Sequence, residues 1–291
     1  MSMSNHRNSG FSLIEIMIAL TLGLVISGAI IQVMVSNSVT ERLNRAMASA
    51  QEGGRFIMSR MRQELLMTGR YDLLSADLNR DVDVVDEANF VWNHPIPLPG
   101  DFDAAAAIGA TQGAGGGNDT LVVSLLTNAD CRGVTHGYDA AAGEEFYVVN
   151  QYFVEGTELK CRGYDGRVLR GQKAPEGNDG DAAYTLLDEV HSFQVLYGIT
   201  NSAVTNDNSA RPVQFVRADQ LAAELAVNSQ VVAIRIALLI KGEGNVEIAP
   251  LPQFKLLNED AMNAPSNHLY KQFETTVTLR NVKNFMRNRK V

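Results

Sequence analysis

No proline occurs before Pro95, and no lysine, arginine or histidine lies between Arg7 and Arg42. The first absence leaves nothing to break a helix over the opening third of the chain. The second frames an apolar run from Phe11 to about Val35 that carries one charge, Glu15. Cysteine is scarce as well: Cys131 and Cys161 are the only two, and no cluster of His or Cys beside them completes a metal site. The five histidines, His6, His94, His136, His191 and His268, are scattered and none stands at His-x-x-x-His spacing, which excludes a zinc-protease signature. Gly113–Gly117 lacks the Gly-Lys-Ser/Thr ending of a phosphate loop and reads as a flexible connection. A Gly-x-Ser-x-Gly nucleophile elbow is missing, and no internal repeat is visible. These absences leave no enzyme chemistry and call for no cofactor.

The rest of the composition is that of a folded protein. Of 291 residues 45 % are apolar and 20 % charged, with 24 Gly and 8 Pro, so disorder is not the expectation. The net charge is −8 and would be −9 without the segment that carries Arg7. An acidic body argues against nucleic acid as a partner, because capture of phosphates needs a basic footprint. The C-terminal Arg280, Lys283, Arg287, Arg289 and Lys290 form a basic tail that could touch DNA or lipid head groups. A frayed, solvated terminus accounts for it better.

The apolar run is too long for a secretory signal core of about 7–15 residues. At about 1.5 Å per residue, its roughly 25 residues can span a hydrocarbon core of about 30 Å. Arg7 and His6 on its N-terminal side place that end in the cytoplasm and the remainder across the membrane. A carboxylate as deep as Glu15 costs roughly 2.5–3.5 kcal/mol on insertion scales and is a functional-site hypothesis by default. No basic residue follows it before Arg42, so its counter-charge must come from another chain or from a newly made N-terminus.

Beyond the run, apolar or small residues recur at Val39, Leu43, Ala46, Ala50, Gly53, Ile57, Met61 and Leu65, one face of a helix. Gly53-Gly54 predicts a bend or a close contact, and Gly69 a C-cap. From about Tyr71 the pattern turns to strands: Thr120–Leu126, Glu145–Val154, Tyr184–Ile199, Gln230–Lys241 and Gln272–Arg280. A short helix over roughly Arg217–Ala226 interrupts them. Strands gathered after one long helix predict an α+β fold, with an antiparallel sheet packed on the C-terminal half of the helix. In an exported domain the even cysteine pair reads as a Cys131–Cys161 disulfide, with free thiols as the alternative.

The opening Gly10-Phe11-Ser12-Leu13-Ile14-Glu15 resembles the N-terminus of type IV pilins and type II secretion pseudopilins. The resemblance implies cleavage by a prepilin peptidase between Gly10 and Phe11, N-methylation of Phe11, and Glu15 as the fifth mature residue, serving as an assembly charge pair. It also implies a pilin-like architecture. Residues 1–10 would be the leader, 11–37 the transmembrane and assembly helix, 38–70 its amphipathic half, and 71–291 a periplasmic β-rich domain. With less specificity, Leu187-Asp188-Glu189-Val190, Phe193–Gly198, Val231–Ile240 and Phe273–Asn281 resemble PilW-type minor pilins. Gln32 stands where many major pilins carry a helix-breaking proline.

That likeness implies a non-enzymatic minor pilin that primes and enters a type IV pilus and serves assembly, motility or adhesion. Its expected partners are other minor pilins, the major pilin, the prepilin peptidase, the inner-membrane assembly platform, and lipid through residues 11–37. Its expected location is the inner membrane and then the fibre, at its tip. A J-type minor pseudopilin of type II secretion and a membrane-tethered periplasmic binding module are the rival readings. Some pseudopilins bind calcium, and Asn178-Asp179-Gly180-Asp181 offers oxygens, although without a full calcium-loop pattern.

Overall fold

The structure is a computed structural model that describes residues 11–176, 182–200, 211–226, 229–244, 246 and 248–282. One helix, α1 (Leu13–Met67), runs unbroken for 55 residues, about 80 Å at 1.5 Å per residue. It passes through Gln32 and through Gly53-Gly54 without interruption, as a segment free of proline allows. Gly69, two residues past its end, adopts φ +73° and donates its N–H to Ser124 O at 2.8 Å.

The remaining elements are α2 (Val84–Asn93), β1 (Leu121–Thr127), β2 (Phe146–Glu155), β3 (Glu158–Asp165), α3 (Gly166–Leu169), β4 (Tyr184–Leu187), β5 (Val190–Ile199), β6 (Gln214–Val216), α4 (Ala218–Ala226), β7 (Val231–Lys241), β8 (Gln253–Phe254), β9 (Met262–Asn263) and β10 (Tyr270–Thr278). They form two four-stranded antiparallel sheets, ordered β1-β2-β3-β4 and β10-β7-β5-β6, and the small β8-β9 pair. The α+β class expected from the sequence stands, but with two sheets in place of one. The segment expected as one strand over Tyr184–Ile199 is the crossing between them: it breaks at Asp188-Glu189, where Glu189 takes φ +58°, so β4 closes the first sheet and β5 enters the second.

Strands β1, β5 and β7 are covered on both faces, so they read as continuous apolar runs with little alternation. In β1, Leu121, Val123 and Leu125 face the main core with α1, while Val122 and Leu126 face a second core under α2 and the 95–110 connection. In β7, Ile234, Ile236, Leu238 and Ile240 face the main core, and Ala237 and Leu239 pack under Leu256 and Ala264. Helix α2 is capped by Asp83, whose carboxylate accepts from the Val85 and Asp86 N–H groups.

Candidate assembly site

The first turn of α1 opens with Glu15 and Ile16 donating their N–H groups to Ser12 O at 3.0 and 3.2 Å. From Phe11 to Arg42 every residue is exposed, including Phe11 at 79 % and Ile14 at 66 %. Large apolar side chains point out all round the axis, which in a helix marks a surface meant for a non-aqueous or protein environment. The helix is long and apolar enough to cross a membrane. Within it the Thr21 hydroxyl bonds back to Ile18 O at 2.9 Å, and Thr40 to Ser36 O at 2.9 Å, so each is satisfied inside the helix. Glu15 has no hydrogen-bond or ionic partner for its carboxylate among the described residues. Gly10 lies outside them, and so does its bond to Phe11.

The second half of α1 holds the domain. Ala46, Ala50, Gly54, Ile57, Met61 and Leu65 are the buried stripe. Val39, expected on it, is exposed, because the domain begins to cover the helix only near Leu43 and Ala46. Gly54, with Gly53 only half buried beside it, provides the close approach: a Cβ there would lie 2.2 Å from two carbons of the Phe273 ring. Gly242, at the end of β7, meets the helix backbone, where a Cβ would sit 2.3 Å from Ala46 O. Beside it the Glu243 N–H donates to Ser49 Oγ at 2.8 Å. On the other flank Arg60 donates to Cys131 O at 2.7 Å, and Glu64 accepts from Arg60 and from the Tyr152 hydroxyl. Burial pushes the Glu64 carboxyl up despite Arg60. Asn281 closes the far end with Nδ2 bonds to Leu66 O and Thr68 O, both 3.2 Å. The exposed half is therefore presented by a helix clamped along its other half by both sheets.

Cys131 and Cys161 form a disulfide with Cα atoms 6.4 Å apart, pinning the connection after β1 to β3. Next to it Asp130 organises a buried turn, accepting from the Arg132 and Val134 N–H groups, from Arg132 Nε and from His136 Nε2. Burial alone would raise the Asp130 carboxyl, but these donors hold it below its usual range.

A second polar centre escaped the sequence reading. Arg167, 1 % exposed, donates to both carboxylate oxygens of Glu87 at 2.7 and 3.0 Å, to Asn79 O at 2.8 Å and to the Tyr138 hydroxyl at 3.3 Å. Glu87 also accepts from the Tyr71 hydroxyl at 2.6 Å. This network ties α2 to the β3–α3 corner. Its members are spread over 97 residues of sequence, and the only local signal is the Asp165 cap that starts α3.

Gly113–Gly117 holds a single 3-10 turn, and its entry is occupied by the chain's own Asp119, which accepts from the Gly113 N–H at 2.8 Å and the Val195 N–H at 2.7 Å. The loop expected to be flexible is tied down at that point. No group of three His, Cys, Asp or Glu that could hold a metal occurs among the described residues. The Asn178–Asp181 turn and the basic positions from Lys283 onward lie outside them.

Two family models match. Residues 5–31 match the prokaryotic N-terminal methylation motif, and residues 145–281 match type IV pilus-assembly protein W. No curated protein matches the chain. Among solved structures it is similar to a type IV-like pilin from Thermus thermophilus, 14 % identical, over 80 % of this chain and 97 % of that one, with a TM-score of 0.42. The methylation motif lies on the start of the exposed helix with Glu15 inside it, and the second match runs from β2 through β10, the whole of the second sheet and three strands of the first; the chain joins a type IV pilin N-terminus to a PilW-type domain.

Proposed function

We propose that the protein is a minor pilin that helps prime a type IV pilus and is incorporated into it, without enzymatic activity of its own. On this reading a prepilin peptidase removes residues 1–10, Phe11 becomes the N-methylated first residue, and the helix stays in the inner membrane until the assembly platform extracts it. The domain faces the periplasm and later the tip of the fibre. The observation that carries the reading is the lone Glu15 carboxylate on an otherwise apolar, fully exposed helical surface. In hydrocarbon such a charge is costly alone and attractive beside a cation, so it selects the neighbour and the register that supply one. The ammonium of Phe11 on an adjacent pilin is the cation the assembly offers. Apolar burial along Leu13–Val35 supplies affinity without choosing a register.

The experiment is Glu15→Ala in the full chain, with the N-terminal peptide read by mass spectrometry. Wild type and variant should both begin at a methylated Phe11, because insertion needs only apolar length and the peptidase reads Gly10. Co-purification with the other minor pilins and the number of surface pili should fall, since removing one member of a buried pair costs about 3–5 kcal/mol. A mature start elsewhere than Phe11, or undiminished co-purification and piliation, would overturn the reading.

A further inference from the structure

Among the described residues β10 is the longest strand at a sheet edge, nine residues, and no strand pairs with its outer side. Its register with β7 runs without a slip from Tyr270↔Lys241 to Thr278↔Ala233. At the two ends Gly242 donates to Leu269 O at 2.8 Å and Leu279 donates to Val232 O at 2.9 Å. Antiparallel partners alternate between bonded and non-bonded pairs, so the odd-numbered residues of β10 bond to β7. The N–H and C=O groups of Gln272, Glu274, Thr276 and Thr278 therefore point away from the sheet. Among the described residues no backbone or side-chain hydrogen bond reaches these four N–H groups. Glu274, Thr276 and Thr278 are exposed, and even Phe273 and Thr275, on the helix side, are only half buried.

The rest of the fold covers its edges. β1 is closed by the chain itself, through Ser124 N–H to Pro95 O, Leu126 N–H to Arg70 O, and Gly69 N–H to Ser124 O. β4 and β6 are edges of four and three residues. A long uncovered edge is a template for another strand, which natural folds avoid unless it is used.

We propose that the outer edge of β10 receives an extended strand from a neighbouring, different pilin subunit, continuing the β10-β7-β5-β6 sheet across the subunit boundary. This rests on the reading of the chain as a membrane-anchored pilin that assembles with others. The direction of the strand identifies the occupant. As α1 advances from Ala46 through Gly54 to Leu66–Gly69, its contacts advance from Gly242 and its partner Leu269 through Phe273 to Asn281 and Val282. β10 thus runs parallel to the helix and, with the helix across a membrane, stands along the membrane normal. A second subunit anchored in the same membrane meets this edge side-on. Two-fold antiparallel pairing of β10 with β10 of a second copy would point the two α1 helices in opposite directions, which a common N-in orientation forbids. The opposite edge of a second copy, β6, has three residues and cannot fill nine. A different pilin-fold subunit with a longer free edge satisfies both conditions.

The test is amide hydrogen exchange on the full-length chain, alone and co-purified from membranes with the other minor pilins. In the complex the amides of Gln272, Glu274, Thr276 and Thr278 should exchange at least tenfold more slowly than in the chain alone, while those of Phe273 and Thr275, already bonded to β7, should change little. Thr276→Pro removes one outward N–H and leaves the β7 ladder intact, a placement that edge strands tolerate. It should lower the yield of complex about tenfold, the factor carried by about 1.4 kcal/mol, with the thermal midpoint of the isolated chain lowered by no more than the exposed Arg235 Nε to Thr276 hydroxyl bond that it also removes. If the complex forms but the four amides stay unprotected and Thr276→Pro matches wild type, the edge inference fails and the pilin reading stands. If no complex forms with any pilin, both fail. Protection that grows with the concentration of this chain alone would make the occupant a second copy and overturn the choice of partner.

Discussion

Arg167→Met should be among the most damaging single changes in the domain. The guanidinium is 1 % exposed and Glu87 0 %, with two charge-assisted bonds of 2.7 and 3.0 Å between them. Methionine replaces the stem of the side chain but none of its donors. Glu87 would keep only the Tyr71 hydroxyl, and the Asn79 carbonyl would lose its guanidinium donor. Breaking a buried pair from one side costs about 3–5 kcal/mol, because the remaining charge stays desolvated. Domains of this size have about 5–15 kcal/mol in total, so the loss is a fifth or more of the stability. The single tryptophan, Trp92, lies on α2 with Glu87, so its fluorescence reports the undocking of that helix. Urea unfolding of detergent-solubilised full chain, followed at Trp92, should show a midpoint far below wild type. Adding Glu87→Gln removes the stranded charge while keeping an acceptor for Tyr71, and the double variant should recover at least about 1 kcal/mol relative to the sum of the two single losses. A single-variant loss under about 1 kcal/mol, or strict additivity in the cycle, would refute the account of this centre as a mutually dependent buried pair.

Two further outcomes follow from the same geometry. In protein taken from the periplasm, Cys131 and Cys161 should resist thiol labelling until reductant is added. Replacing both by serine should cost about 3–4 kcal/mol for a loop of this length, read by urea unfolding, and free labelling of both thiols would refute the bridge. Burial pushes the Asp119 carboxyl up to about 6 from 3.8, against the pull of its two N–H donors. Between those values the native state binds more protons than the unfolded chain, so acidification from pH 7 to 5 should stabilise through this group by roughly 1 kcal/mol. Asp119→Asn should remove that gain, and an identical pH dependence in wild type and variant would refute the assignment.

The sequence by itself determined the helix and its division of labour. A span without proline, with one charge in its first half and a three-four apolar spacing in its second, permits little but a continuous helix that is apolar at one end and docked at the other. It also determined the motif at Gly10–Glu15, since chemistry performed on a linear segment is written in adjacent residues. The cysteine pair was legible for a simpler reason: two thiols leave one pairing. Tertiary structure decided the rest. Tyr184–Ile199 reads as one strand because both sheets demand the same residue types, and only the backbone turn at Glu189 shows that the segment changes sheets. β3 was missed because Glu158–Asp165 mixes charge with glycine, a pattern tolerated where its neighbours β2 and β4 supply the ladder. Arg167, Glu87, Asn79 and Tyr138 carry no local signal at all, since each reads as an ordinary surface residue until the fold removes water from the group. The open edge of β10 depends in the same way on which neighbours a strand has, a property of the sheet order that no stretch of nine residues contains.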